Sequence, residues 1–412
     1  MIGCSNAPGL LGRTLLAALL VLSAGCVSTT VKSTSVPTIA TASEQVSEEL
    51  LLDVGIAIFD PGLEQEQEPD EDEMRVYPEV RKAEARFMPN QLAQAMQESG
   101  AWGAVRVVPD PERISDLSVR GKILHSDGEE LKLRIRAVDS RGYEWLDKDY
   151  KGNASAYAYR STTRASYDPF QAVYNTIAND LLQALETLRT EDRENVRLVS
   201  ELLFAQDFSP EAFDGYLAKN PRDVYLVMRL PADNDPMLER VRTIRERDHM
   251  YIDTMQEYYN SFGTEMIGPY QEWRKLSYEE AMALQELKAE SRRRLIAGAV
   301  AVAAGIAGAS SSDGNARAAS NVAIIGGGYL LKSGLEKRAE AQIHVEALEE
   351  LGMSLEAEIT PSVIELEDRS VMLSGNVEDQ YDQWRELLAE IYRAEIGALE
   401  PPPEAQTATD AP

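Results

Sequence analysis

The thiol of Cys26 is the group whose type and position most strongly suggest chemistry in this sequence. The cysteine follows one basic residue, Arg13, an apolar run over residues 14–22 and the small residues 23–25. That order is typical of a cleaved export signal, in which a basic region precedes an apolar core and a small-residue cleavage site. We therefore expect the chain to be exported, with residues 1–25 as a signal peptide.

The stretch Leu22-Ser23-Ala24-Gly25-Cys26 resembles the lipobox of bacterial lipoproteins, with Ser23 where leucine is usual. The resemblance implies cleavage before Cys26, a diacylglycerol thioether on its sulfur and an amino terminus acylated with a group such as palmitate. Several acyl chains on one residue exceed the two signals that stable membrane anchoring requires. Because Val27 replaces the aspartate that acts as a retention signal, the resemblance also implies the periplasmic face of the outer membrane. An uncleaved anchor and a soluble secreted protein are the alternatives.

The remaining residues provide no pattern that singles out a catalytic site. Cys4 lies in the predicted signal peptide, so no second thiol is left for a disulfide, a zinc site or a nucleophile. His125, His249 and His344 are far apart and match no metal-binding spacing such as HExxH. The sequence therefore predicts a non-enzymatic protein with no metal and with no cofactor apart from the lipid on Cys26. An envelope hydrolase with paired carboxylates is the enzymatic alternative.

The chain is strongly acidic, with a formal net charge of -28. Such a charge disfavours nucleic acid and anionic lipid headgroups as partners of the folded body. Residues 64–73 form an acidic run without a basic residue, which predicts a solvated loop. A calcium site is the alternative, although the run lacks the glycine and the ligand alternation of an EF-hand.

The elements that carry these residues begin after a Ser- and Thr-rich stretch, so residues 26–48 are predicted to be a tether. A folded unit is predicted for residues 49–190 from its apolar periodicity. Its elements are a strand at 53–60, a helix at 79–99, a strand at 102–108, a hairpin of strands at 116–126 and 130–139, a strand at 143–150 and a helix at 168–188. We expect Asp168 to be the N-cap of the last helix and Gln171 to complete a capping box. This order predicts a small sheet with helices packed on it.

Four features of this unit are also found together in a known group of α/β domains. They are the opening strand Val54 to Phe59, the helix that ends before Gly100-Ala101-Trp102, the short strand Val105 to Val108 and the hairpin from Val119-Arg120-Gly121 to Ile135. In these features the unit resembles small periplasmic α/β domains: the amino-terminal domain of the Tol-system propeller protein, the curli secretion lipoprotein and the lipoprotein activators of penicillin-binding proteins. The resemblance implies protein-protein docking in the envelope and carries no catalytic residues. A sheet-and-helix domain of other ancestry is the alternative.

Residues 191–294 are predicted to be mainly helical, with Ser277 starting a long helix that ends in three arginines. A Gly- and Ala-rich hairpin is predicted for residues 295–335. The small residues of its first arm recur every four positions and its second arm has three glycines: Ala297, Ala301, Gly305 and Ala309, then Gly326, Gly327 and Gly328. Small-residue faces favour a packed helical pair, within one chain or between protomers of a homo-oligomer. Bilayer insertion as a strand pair of an oligomeric ring, and a flexible linker, are the alternatives.

Residues 336–400 predict a charged helix followed by a small strand-strand-helix module, and residues 401–412 predict a disordered tail. The predicted fold class is therefore α+β, a small sheet with packed helices followed by the helical region, the hairpin and the module. Together with the lipobox, this organisation favours a scaffold or regulator of an envelope assembly, in contact with envelope proteins and with the lipid leaflet of the outer membrane. The alternative is an oligomeric secretion or pore component whose hairpin enters that membrane.

Overall fold

The computed structural model describes residues 28–32, 36–42, 47–63, 77–160, 168–307, 362–365 and 370–397, and also residues 343, 345–347, 349–350 and 353. The fold class is α+β, as predicted, with a mixed six-stranded sheet, two small sheets and helices packed around them. Several predicted features lie outside the described residues: Cys26, the acidic run, His344, Ala309, Gly326, Gly327, Gly328 and the tail.

The main sheet contains six strands that come from two parts of the chain. They are β1 (Ser28–Lys32), β2 (Val54–Ala57), β3 (Val105–Val108), β4 (Leu117–Ser126), β5 (Glu130–Asp139) and β6 (Glu144–Asn153). Their order across the sheet is β1-β6-β5-β4-β2-β3. The meander β4-β5-β6 is antiparallel, β2 pairs in parallel with β3 and β4, and β1 pairs in parallel with β6. The predicted hairpin and the third strand of the meander are confirmed.

Alternating side chains along the strands supply the core. In β5, Leu131, Leu133, Ile135 and Ala137 are buried and alternate with more exposed residues, as expected for a sheet with one covered face. Helices α1 (Pro78–Glu98) and α2 (Gln171–Glu186) pack against the sheet and against each other. Their buried apolar stripes therefore close the core.

The predicted tether over residues 26–48 is wrong for the part of it that the structure describes. Residues 28–32 form β1, which adds an edge strand to the sheet beside β6. Residues 36–42 then lie along α2. The composition of this segment is that of a linker, but a Ser- and Val-containing stretch also forms a strand when a sheet edge is available.

Two asparagines of α2 bind the backbone of this amino-terminal segment. The amide of Asn179 donates to the carbonyl oxygen of Thr38 at 3.0 Å and accepts from the N–H of Ala40 at 2.8 Å. Asn175 donates to the carbonyl oxygen of Pro37 at 2.8 Å. An asparagine side chain offers both a donor and an acceptor, so Asn179 satisfies the backbone of an added segment much as a neighbouring strand would. The segment is thereby held to the body of the protein.

The predicted cap of α2 is also wrong. The helix begins at Gln171 rather than at Pro169, and the amide of Gln171 donates to Asn175 at 2.9 Å instead of forming a capping box. Asp168 accepts from the backbone N–H of Phe170 at 2.8 Å, which is a local turn contact. The carboxylate of Asp168 also binds Arg274, which is distant in sequence, and this contact competes with the capping geometry.

Helices and a short ribbon follow the sheet. Helix α3 (Thr190–Phe208) and the short helix α4 (Pro210–Phe213) lead into the ribbon of β7 (Leu217–Lys219) and β8 (Tyr225–Val227). The two strands of the ribbon are antiparallel. This ribbon packs on α3, and it is the last element before the long helix.

Helix α5 (Pro236–Ala307) has 72 residues, which corresponds to about 108 Å at 1.5 Å per residue. The predicted start at Ser277 is therefore wrong, because Ser277 lies inside a helix that begins after Asp235, whose carboxylate accepts from the N–H of Met237 at 2.9 Å. Residues 295–307 continue the same helix, so a strand in this part of the first arm is wrong as well. None of the helices in the described part of the chain combines the length and the apolarity needed to cross a bilayer.

The predicted strand-strand-helix module is confirmed. Strands β9 (Ser362–Glu365) and β10 (Ser370–Leu373) form an antiparallel pair, and helix α6 (Val377–Gly397) follows. The ring of Trp384 stacks on that of Tyr251 at 4.7 Å, and Arg247 pairs with Glu395 at 3.0 Å. The module therefore packs on the first part of α5.

Replacing Asn179 with alanine is expected to release the amino-terminal segment from α2 while the sheet stays folded. The loss of two hydrogen bonds, at about 1 kcal/mol each, predicts hydrogen exchange roughly thirtyfold faster at residues 38–42. Hydrogen-exchange mass spectrometry measures this directly. The control is Gln183→Ala, an exposed position on the same helix, which should leave the exchange unchanged. Equal exchange in the two variants would contradict this role of Asn179.

Candidate functional site

The two ends of the main sheet carry different features. We name them by their turns: the β5–β6 end has the turn at residues 140–143, and the β4–β5 end has the turn at residues 127–129. Helix α5 runs from the first to the second, since Arg245 lies 3.7 Å from Asp116 and Gln285 donates to Glu129 at 2.7 Å. After Gln285 the helix continues for about 33 Å to Ala307. Its small-residue segment is therefore carried beyond the β4–β5 end.

Cys26 lies outside the described residues, but the chain itself limits its distance from the sheet. Ser28 is the first residue of β1 and pairs with Asp149 of β6. A residue spans at most about 3.6 Å, so the α carbon of Cys26 lies within about 7 Å of that of Ser28. A lipid on Cys26 would consequently be joined to the sheet edge through Val27 alone.

A buried cation holds α5 to the α/β domain. The side chain of Arg274 is fully buried and donates to both carboxylate oxygens of Asp168, at 2.9 and 2.7 Å. The same guanidinium lies over the rings of Tyr270 at 3.8 Å and Phe170 at 4.8 Å. Burial by itself lowers the pKa of Arg274, but Asp168 and the neighbouring tyrosines outweigh it and hold the pKa well above its ordinary value. The cation is therefore permanent.

The contact continues from Arg274 into α1 and the sheet. Arg274 donates to the hydroxyl of Tyr270 at 2.6 Å, and that hydroxyl donates to Glu84 at 2.5 Å. The same oxygen of Glu84 accepts from Ser126 of β4, also at 2.5 Å. Burial, opposed by Arg274, raises the pKa of Tyr270 well above its ordinary value, so the phenol keeps its proton and remains a donor. We call Asp168, Arg274, Tyr270, Glu84 and Ser126 the buried junction.

The geometry of the buried junction suits a structural role. Its charges are enclosed, and hydrogen bonds link Asp168, Arg274, Tyr270, Glu84 and Ser126 in one series of donors and acceptors. This hydrogen-bond network can form in only one position of α5 on the sheet, because a shift of the helix would leave a buried charge without its partner. The junction therefore fixes the position of α5.

A surface groove of about 550 Å³ at the β5–β6 end is lined mainly by charged side chains. Its lining includes Asp53, Asp116, Arg197, Arg245 and His249. The guanidinium of Arg245 donates to the hydroxyl of Ser200 at 2.5 Å. The lining holds six carboxylates and three arginines, so the groove has a net negative charge and disfavours anionic ligands.

The histidine of this groove is unsuited to acid-base catalysis. Burial, together with the charges of Arg113, Arg245 and Arg106, lowers the pKa of His249 to about 2. The imidazole is therefore neutral near pH 7, and a group with so low a pKa is a poor general base. His125 lies at the opposite end of the sheet, where it contacts Asp127 at 3.1 Å. The structure thus keeps these two histidines apart.

Among the described residues, no group of three or more His, Cys, Asp or Glu side chains is arranged to hold a metal ion. The predicted small-residue positions Ala297, Ala301 and Gly305 lie on the last turns of α5. A spacing of four residues on an α-helix places them on one face of its backbone. Ala309 and the three glycines of the second arm are outside the described residues.

The sequence analysis missed the buried junction, although two of its members leave a signal. Glu84 lies on the apolar stripe of α1 between Val80 and Phe87, where a charge is unexpected. Arg274 likewise lies on the same helix face as the buried Tyr270, one turn after it. A charge on an apolar helix face indicates a buried partner, but only the tertiary structure identifies Asp168 as that partner.

Comparison with known proteins finds no match to this chain among family models, curated proteins or solved structures.

Replacing Arg274 with alanine is expected to destabilise the fold by about 3–5 kcal/mol, because it leaves the buried carboxylate of Asp168 without its cation. The matched control is Arg242→Ala, which removes an arginine of the same helix that also contacts two carboxylates but is half-exposed. Its loss should cost less than about 1 kcal/mol. Urea unfolding of both variants measures the difference, and similar losses would show that the buried junction is not what holds α5.

The low pKa of His249 predicts a contribution to acid sensitivity. As the pH falls below about 6.5, the imidazole takes up a proton in the unfolded chain but stays neutral in the fold. Stability from this group is therefore complete above pH 6.5 and is lost below it, by up to about 1.4 kcal/mol per pH unit. Unfolding free energies measured from pH 8 to pH 4 should fall less steeply in His249→Gln than in the parent protein. Parallel curves below pH 6.5 would contradict the prediction.

Proposed function

We propose that this protein is a lipoprotein of the outer membrane, on its periplasmic face, and a non-enzymatic scaffold or regulator of a cell-envelope assembly. The observation that carries the proposal is the position of Cys26, which follows a predicted export signal and precedes β1 by two residues. A lipid on this residue would be joined almost directly to the main sheet. The body would then stay next to the membrane instead of moving on a long tether.

The long helix supports the scaffold part of the proposal. The buried junction fixes α5 on the α/β domain, and the helix then extends for about 33 Å beyond Gln285, which contacts the β4–β5 turn. A rigid helix that leaves a domain in this way presents a surface at a distance from the anchor. The small residues Ala297, Ala301 and Gly305 on that extension suit close contact with another helix, from an envelope protein or from a second protomer.

The resemblance of the α/β unit to envelope docking domains agrees with this interpretation. The resemblance implies action through protein contacts, and in the groove at the β5–β6 end Arg242 pairs with Glu201 and Arg245 with Asp116. The imidazole of His249 is neutral near pH 7 and the charges of the buried junction are enclosed, so neither of these features supports acid-base catalysis. Scaffolding is therefore the function that these residues support best.

The anchor is tested by comparing Cys26→Ser with Cys4→Ser in the natural host. The parent protein and the Cys4→Ser control should fractionate with the outer membrane, and mass spectrometry should find the chain starting at Cys26 with added acyl mass. Cys26→Ser should lose that mass and leave the membrane fraction. If the parent chain retains residues 1–25 and carries no acyl group, the lipoprotein proposal is wrong.

The scaffold is tested with a photo-cross-linking residue placed on the far part of α5. At position Ala301 it should capture one defined envelope protein or a second copy of this chain, whereas the same residue at the exposed Met250 serves as the matched control on the body of the helix. Identical capture at the two positions, or none at Ala301, would contradict a contact made by the extension.

A further inference from the structure

Large apolar side chains are exposed together at the β5–β6 end of the sheet. They belong to Tyr143 in the turn and to Leu226, Met228 and Leu230 in and after β8, with exposed fractions of 49%, 47%, 63% and 67%. We call these four residues the apolar rim. Clusters of this kind on a protein surface mark a contact with a protein, a ligand or a membrane.

The apolar rim is mainly the outer side of the β7–β8 ribbon. Tyr225 and Val227 turn inward and pack on the core, while Leu226 and Met228 alternate with them and face outward. The N–H of Tyr225 donates to the carbonyl oxygen of Arg141 at 2.8 Å, which joins the ribbon to the β5–β6 turn. An outward face in water normally carries polar side chains. The sequence alternation therefore indicates a ribbon with apolar surroundings on both sides.

The direction of β1 relates the apolar rim to the predicted lipid. Because β1 is parallel to β6, its amino-terminal end is directed toward the β5–β6 end. Ser28 pairs with Asp149 of β6. Asp149 lies five residues after Glu144, the first residue of β6, so Ser28 is about 17 Å from the β5–β6 end along the strand. Cys26 lies within about 7 Å of Ser28, so at its nearest it is about 10 Å short of that end. Amphipathic elements bury their apolar side about 5–10 Å into the headgroup region, which matches this offset.

The charges of the ribbon also differ from those of the rest of the chain. Between residues 214 and 230 the basic side chains are Lys219, Arg222 and Arg229, and the acidic ones are Asp214 and Asp223. The ribbon is thus slightly basic in a chain whose net charge is -28. This part of the surface meets less repulsion from anionic headgroups than the body does.

We propose that the apolar rim lies in the headgroup region of the lipid leaflet that holds Cys26. This inference rests on the lipid anchoring proposed above and specifies how the body sits on the membrane. The β5–β6 end faces the lipid, and the β4–β5 end faces away from it. Helix α5 then leads away from the anchoring membrane, so residues 295–307 are held toward the periplasm and not against the leaflet.

The experiment uses two tyrosines that lie near opposite ends of the same strand. Tyr143 precedes β6 and Tyr157 follows it, and their exposed fractions are similar, at 49% and 55%. The full chain with Tyr143→Cys, Met228→Cys or Tyr157→Cys is expressed, matured and labelled on the new thiol with an environment-sensitive fluorophore. It is then reconstituted on phosphatidylethanolamine–phosphatidylglycerol vesicles that contain spin-labelled lipid as a quencher.

Quenching at positions 143 and 228, with the probe at 157 as bright as in buffer, is the expected result. Vesicle flotation of the same samples separates the two proposals. A protein that does not float with the vesicles contradicts the lipid anchor, and the inference with it. A protein that floats but shows equal quenching at 143 and 157, or none at 143 and 228, overturns the inference alone. That last outcome would assign the apolar rim to a protein partner.

Discussion

The pairing of Arg274 with Asp168 inside the protein is the interaction on which the arrangement of helix and sheet depends. A guanidinium removed from water is costly unless its charge is compensated, and here a carboxylate pairs with Arg274, a phenol accepts from it and two aromatic rings lie against it. Only one placement of α5 on the α/β domain brings all of these groups to Arg274. The hydroxyl of Tyr270 also donates to Glu84 of α1. The same network therefore constrains α5, α1 and the segment before α2 that contains Asp168.

The direction of α5 follows from that placement. The helix starts at the β5–β6 end, beside the ribbon and Asp116, and its later part lies at the β4–β5 turn, where the backbone N–H of Gly128 donates to Ser277 at 3.1 Å. Different contacts hold the amino-terminal segment, at the edge of the sheet where β1 pairs with β6. The chain therefore separates the residue that is predicted to carry lipid from the helix extension that is proposed to reach a partner.

Local patterns predicted the elements whose structure is decided by their own neighbours in sequence. The hairpin with Asp127 and Gly128 at its tip is an example, since turn chemistry and alternation specify it without distant contacts. The same patterns failed where a distant group competes. Asp168 has the sequence position of a helix cap but binds Arg274, and a cap residue cannot be distinguished locally from a buried ion-pair partner. Ser277 likewise has the residue type of a helix start, yet its hydroxyl accepts from Gly128 within a continuous helix.

The sequence by itself determined the α+β class, the strand-helix order of the first unit, the carboxyl-terminal module and the expectation of a lipid on Cys26. These depend on periodicity, turn residues and a short motif, all of which act over a few positions. Only the tertiary structure decided that residues 28–32 and 36–42 belong to the folded body, that α5 is one helix, and that the apolar rim lies at the end of the sheet toward which the start of β1 is directed. Each of these depends on pairing between residues far apart in the chain, and the free energy of such pairs is set by which surfaces meet after folding.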